Sequence, residues 1–208
     1  MFEDIKSDII RFGEIAGSRG LTPGMSGNIS ARCNDKIVIT ASGSANSFLS
    51  REDLCVIDFN GNIIEGSRKP SSEKFLHMEF YKKRKDINAI CHFHSPCIEA
   101  FAISGSDELN INCHPEIIFY FGDIPSAEYA LPGSNQLVEN TAKYFDGHDV
   151  IIMKNHGVIS GGKDIKDAFL KLELCESFAK SIVLSKFLGG AKILTENQIN
   201  EINLLKKK

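Results

Sequence analysis

Interleaved strand and helix patterns predict an α/β fold for this chain of 208 residues. Three observations carry that expectation. Short β-branched runs, such as Ile37-Val38-Ile39 and Val150-Ile151-Ile152, have the length of buried strands. Longer stretches between them repeat apolar residues at helical spacing. A hydrophobic content of 42% is enough for a proper core, so residues 1–208 are expected to form one domain. On residues alone, strands alternating with helices suggest a parallel sheet.

The elements follow in order. Residues 3–19 place Ile5, Ile9, Phe12 and Ala16 near one helix face, and Gly20 stops the helix. Residues 21–28 are rich in glycine and small polar side chains and lead into a strand at 29–32. A second strand, 36–40, runs into Ala41-Ser42-Gly43-Ser44. Both loops can offer amides and hydroxyls to an anion, although each also resembles an ordinary turn. Neither is a Walker loop, which needs Gly-Lys-Ser/Thr. Residues 53–59 and 62–65 read as a hairpin about Asn60-Gly61. Lys69-Pro70-Ser71-Ser72-Glu73 then opens a helix to about Lys85. Its serines are either caps or a phosphate-binding helix start. Glu73 complements the helix dipole and gains interest only if that turn faces a site.

An apolar run at 88–91 ends in His92-Phe93-His94, and a helix follows over 96–104. Residues 123–125 and 129–133 read as irregular loop, and 134–145 as a helix. The apolar strand 149–153 ends in Lys154-Asn155-His156-Gly157; residues 158–160 continue it, and Gly161-Gly162 turns the chain. Asp164 caps a long helix to about Leu188, and a last amphipathic helix starts near Thr195.

Composition narrows the function. The formal net charge is −3, and the basic residues are dispersed apart from Lys206-Lys207-Lys208, which argues against a nucleic-acid surface. No stretch approaches the roughly 18 apolar residues of a membrane span. The acidic start, Met1-Phe2-Glu3-Asp4, lacks a signal-peptide pattern, so a cytoplasmic protein is expected. The six cysteines form no Cys-x-x-Cys pair and read as reduced core residues. Cys91 and Cys97 flank the histidines and are conceivable ligands, but small buried hydrophobes describe them better.

The histidine pair is the sharpest chemical signal. Residues i and i+2 of a strand share a face, so His92 and His94 project together at a spacing that grips one metal ion. Two imidazoles make a poor zinc site. His156, at another strand end, is the candidate third ligand. His77 lies inside a helix, His148 in an acidic turn, and His114 before a proline, with no supporting spacing.

Together, Gly27-Asn28-Ile29-Ser30, Thr40-Ala41-Ser42-Gly43, Pro70-Ser71-Ser72-Glu73, His92-Phe93-His94 and Asn155-His156-Gly157 resemble, in that order, the class II aldolase/adducin family, most closely its L-fuculose-phosphate aldolases. The resemblance implies an α+β type of α/β fold, with a central, mostly antiparallel sheet flanked by helices. It also implies a ring-shaped homotetramer with active sites at subunit interfaces. His92, His94 and His156 match the family's zinc ligands. Glu73 matches a carboxylate that touches zinc and then acts as base. Asn28, Ser42, Gly43, Ser71 and Ser72 match its phosphate cradle. The implied reaction is reversible cleavage of a ketose 1-phosphate to dihydroxyacetone phosphate and a small aldehyde, with Zn2+ as electrophile. The phosphorylated sugar is the expected partner, with no nucleic acid and no membrane.

The family's second acid/base, a tyrosine from a neighbouring subunit, has no secure match here. The region reads His114-Pro115-Glu116, with Tyr120 nearby, and looks more like the family's methylthioribulose-phosphate dehydratases, in which such a glutamate is the acid/base. Glu116 and Tyr120 are therefore the expected further catalytic residues. Those dehydratases usually carry alanine where Ser72 stands. The 4-epimerases carry aspartate at Glu73, and non-catalytic adducin-like members tend to lose the metal ligands.

Overall fold

The computed structural model describes residues 2–104 and 109–206. Met1 of the acidic start and Lys207-Lys208 of the basic tail lie outside them.

Helix α1 (Phe2–Ser18) is followed by strands β1 (Asn28–Cys33), β2 (Lys36–Thr40), β3 (Leu54–Asp58) and β4 (Ile63–Glu65). Helix α2 (Lys74–Lys83), strand β5 (Ala89–Phe93) and helices α3 (Pro96–Ile103) and α4 (Pro115–Phe121) come next. Then follow β6 (Ser126–Ala127), α5 (Asn135–Ala142), β7 (Val150–Met153), β8 (Gly157–Gly162), α6 (Ile165–Ser185) and α7 (Glu196–Leu205). The strands form one sheet in the order β4-β3-β2-β1-β5-β8-β7-β6. Every pairing in it is antiparallel except β6 with β7. The parallel sheet suggested by simple alternation is thus corrected, and the mostly antiparallel sheet holds.

Turn chemistry explains the difference. Asn34, at φ 55°, reverses the chain between β1 and β2, and Asn155, also at φ 55°, does so between β7 and β8. Asparagine tolerates this left-handed conformation better than most residues. Residues 158–160 therefore return beside β7 instead of continuing it, and Gly161-Gly162 ends β8 instead of turning the chain. Residues 115–121, unassigned in the sequence, form a helix with Pro115 in its first turn. Between the loop stretches 123–125 and 129–133 lie the two residues of β6.

Side-chain alternation divides the core into two layers. On one sheet face Val38, Ala89, Cys91 and Phe93 pack with Ile9, Ile98 and Phe169, from α1, α3 and α6. On the other, Ile37, Ile39 and Ile90 pack with Leu76, Phe80 and Leu137, from α2 and α5. Phe80 stacks on Phe145 with ring centroids 4.1 Å apart. Each fully buried side chain of this size contributes about 1.5–3 kcal/mol. The site's neighbours α2 and α3 thus lie on opposite faces, while β5 runs between them. No helix among the described residues is long and apolar enough to cross a membrane. All six cysteines are free, and Cys91 is buried in the core.

Candidate active site

The last residues of β5 present the histidine pair. His92 pairs with Asn28 of β1 on one side and Ile159 of β8 on the other, so its backbone is fixed from both flanks. Its Nδ1–H donates to the Val158 carbonyl at 2.9 Å, leaving Nε2 to point outward. The Nε2 atoms of His92 and His94 lie 3.3 Å apart. His156 arrives on the β7–β8 turn, where the Asn155 amide donates to the Ala102 carbonyl of α3 at 2.8 Å. Gly157 lets β8 come close: a Cβ there would sit 2.7 Å from the Phe93 carbonyl oxygen and 3.2 Å from His94 Cδ2. One nitrogen of each ring falls within 4.8 Å of the others.

Glu73, at the start of α2, does face the histidines. Its carboxylate is 6% exposed and bridges the group, with Oε2 3.1 Å from His92 Nε2 and Oε1 3.1 Å from His156 Nε2. Asn28 Nδ2 donates to Oε2 at 2.9 Å. The Glu73 amide donates to Ser71 Oγ at 3.2 Å, which holds the turn in place. Burial pushes this carboxyl upward, but the His92 charge and the bonds from His156 and His92 outweigh it and hold it well below the usual range. Burial, together with the neighbouring imidazoles, lowers His94 to about 4. His92 moves the other way: burial lowers it, and Glu73 more than compensates.

These donors fit a divalent metal. With Nδ1 of His92 bound to a carbonyl, its Nε2, once it gives up its proton, faces a second imidazole nitrogen and a carboxylate. A cation resolves that convergence of acceptors, and three imidazoles with one carboxylate suit zinc and its first-row neighbours.

The same cleft, of about 400 Å³, is lined by Asn28, Ser42, Gly43, Ser71, Ser72, Glu73, His92, His94 and His156. Three separate loops are thereby gathered beside the metal-ligand group. Gly43 adopts φ 73°, which a side chain would resist. The Ser42 amide donates to the Lys69 carbonyl at 2.8 Å and ties two of these loops together.

Glu116 and Tyr120 lie elsewhere in this chain. They are on α4 and border a separate groove of about 630 Å³, whose other wall includes Leu170, Lys171 and Leu174 of α6. His114 stands edge-on to Phe178, His148 Nδ1–H donates to the Tyr144 carbonyl, and His77 is buried against Ser30 Oγ.

Glu99 and Pro132, which the sequence did not single out, also line the cleft, beside Met25 and Ser26 of the 21–28 loop and Asn155. Glu99, in the first turn of α3, has Oε1 3.7 Å from His94 Nδ1. Glu176 of α6 fixes that helix start by accepting from the Cys97 and Ile98 amides, both at 2.9 Å. The available signal was Ser95-Pro96, which marks a helix start and puts Glu99 one turn from the histidines. Asn155 was visible as the Asn of an Asn-His-Gly turn.

Comparison with known proteins fits this geometry. Residues 7–183 match the family described as Class II Aldolase and Adducin N-terminal domain. The chain is 43% identical over 162 residues to an L-fuculose phosphate aldolase of Methanocaldococcus jannaschii, covering 78% of this chain and 86% of that one. It is 34% identical over 204 residues to a 5-deoxy-D-ribulose 1-phosphate aldolase of Bacillus thuringiensis, covering 97% and 94%. A 3-oxo-tetronate 4-phosphate decarboxylase of Haemophilus influenzae is 32% identical over 203 residues, covering 95% of each. Among solved structures, an L-fuculose 1-phosphate aldolase superposes with a TM-score of 0.88 at 31% identity, covering 99% of this chain and 97% of that one.

Proposed function

The chain belongs to the class II aldolase and adducin family, and from that premise we propose that it is a zinc-dependent aldolase that reversibly cleaves a ketose 1-phosphate to dihydroxyacetone phosphate and a small aldehyde. One observation carries the reading: a histidine triad bridged by a buried carboxylate shares a single cleft with three small-residue loops.

His92, His94, His156 and Glu73 would hold the ion. A divalent cation there supplies Lewis-acid charge that stabilises negative charge developing beside the substrate ketone. Asn28, Ser42, Gly43, Ser71 and Ser72 receive the phosphate, whose binding energy positions the reacting carbons. In the synthetic direction the Glu73 carboxylate takes a proton from the hydroxymethyl carbon of dihydroxyacetone phosphate, and in the cleavage direction it returns that proton. Asn28, bonded to Oε2, orients the carboxylate for this work. Glu116 and Tyr120, outside the cleft of their own chain, act in this reading on the cleft of a neighbouring subunit in a homotetramer, a state that light scattering on the purified protein tests.

The direct experiment measures dihydroxyacetone phosphate released from a panel of ketose 1-phosphates, with and without a chelator. Release that the chelator stops is expected. No release from the zinc-loaded protein on any member of the panel overturns the reading, and loss of water without carbon–carbon cleavage would move Glu116 to the centre of the chemistry.

A further inference from the structure

The α3 side of the cleft carries information about substrate class. Ser71–Glu73 opens α2 on one face of the sheet, and Glu99 opens α3 on the other. The histidines stand between them at the end of β5 and on the β7–β8 turn. A substrate whose phosphate rests on the Ser42, Gly43, Ser71 and Ser72 loops and whose reacting carbons reach the histidines shares its cleft with Glu99, which lies beside His94. The Glu99 side chain is 38% exposed and lines the cleft. Among the described residues lining that cleft there is no Lys or Arg. The nearby Arg68 pairs with Asp53 and donates to the Ser42 carbonyl. A second anionic group on the substrate would meet a carboxylate and no cationic side chain.

We propose that Glu99 is a specificity-determining residue that selects sugar phosphates with an uncharged, hydroxylated tail and disfavours sugar-acid phosphates, whose tail carries a carboxylate. Its oxygens accept hydrogen bonds from tail hydroxyls and repel a tail carboxylate. This rests on the aldolase reading above and deepens it. It also separates this chain in substrate preference from its decarboxylase relative, whose named substrate is an acid. A carboxylate and a substrate anion a few ångströms apart at a partly exposed site differ from a neutral pair by about ten-fold in affinity, or more as solvent is excluded.

The test compares two ligands on three zinc-loaded proteins. Affinities of erythritol 4-phosphate and erythronate 4-phosphate, equal in length and different in charge, are measured by calorimetry for the wild type, Glu99→Gln and Glu99→Asp. The acid-to-neutral affinity ratio is expected to rise about ten-fold in Glu99→Gln and to stay near the wild-type value in Glu99→Asp. A residue that merely orients His94 would shift both ligands together, and an unchanged ratio in Glu99→Gln overturns the proposal. Neither ligand needs to react, so this outcome is separate from the fate of the aldolase reading, which the release of dihydroxyacetone phosphate decides.

Discussion

Gly157→Ala adds one methyl group where β8 passes beneath the histidines. The new Cβ would lie 2.7 Å from the Phe93 carbonyl oxygen, 3.2 Å from His94 Cδ2 and 3.3 Å from His92 Cε1. Ordinary contacts begin near 3.4 Å, so β5 and β8 must part by several tenths of an ångström at the point where they carry the ligands. Overpacking of this kind costs about 1–3 kcal/mol. For a chain of this size that is a fall of about 2–4 °C in Tm per kcal/mol. The displacement goes into the imidazoles, and disturbing the support of metal ligands typically lowers affinity by about 10–100-fold. Zinc affinity is read by competition with a chromophoric chelator, and Tm by thermal denaturation of the metal-free protein. Gly161→Ala is the control: its Cβ meets Phe80 Cζ at 3.0 Å and Ile87 Cγ2 at 3.1 Å, in the core beneath α2. It should lose stability and keep its zinc affinity. Wild-type affinity in Gly157→Ala would refute the reasoning.

Three further outcomes are expected. Glu73→Gln should lower the Tm of the metal-free protein, because the buried partner of His92 and His156 loses its charge, and lower kcat by at least 10²-fold, the scale of a lost acid/base group; near-normal turnover would remove Glu73 as the base. His77 is fully buried, and burial, aided by the His92 charge, lowers it to about 3. The unfolded chain, with an ordinary histidine near 6.5, takes up a proton below that pH that the folded chain refuses. Stability is therefore present above about pH 6.5 and falls as pH drops toward 3, by up to about 1.4 kcal/mol per pH unit. Urea titrations of metal-free wild type and His77→Gln at pH 7 and 5 check this, and equal losses in both proteins would count against it. Glu176→Ala leaves the Cys97 and Ile98 amides without their acceptor, which should cost about 2–4 kcal/mol in denaturant midpoints; a loss under 0.5 kcal/mol would show that water replaces the carboxylate.

The parts of the site that were legible in the sequence are those encoded over two or three residues. His92 and His94 share a strand face by simple alternation, and Asn155-His156-Gly157 marks a turn. What joins them is not local. Glu73 reaches His92 because α2 packs on the sheet face shared by Ile37, Ile39 and Ile90, and no periodicity specifies which way a first helical turn points. Strand direction was misjudged for a related reason: apolar runs at 149–153 and 158–160 look continuous unless Asn155 is taken as a left-handed residue that folds one back on the other. The helix at 115–121 spans only seven residues, too few for a hydrophobic period to stand out, although Pro115 marked its start. Glu99 was passed over because its importance comes from the carboxylate of Glu176, distant in the chain, which pins α3 in place.

The central position of β5 has a consequence for the chain during its synthesis. Its two neighbours are β1, made long before it, and β8, made long after it. While translation passes through residues 94–155, one edge of β5 lacks its partner strand and its backbone groups there are unpaired. Such an edge recruits other strands. Only two of the three histidines exist at that stage, so a metal ion cannot yet stabilise the nascent fold. Closure depends on β8 crossing a long sequence gap, the slow class of contact in folding. The yield of folded protein should therefore depend on how readily β8 docks on β5, and zinc cannot assist before His156 is made.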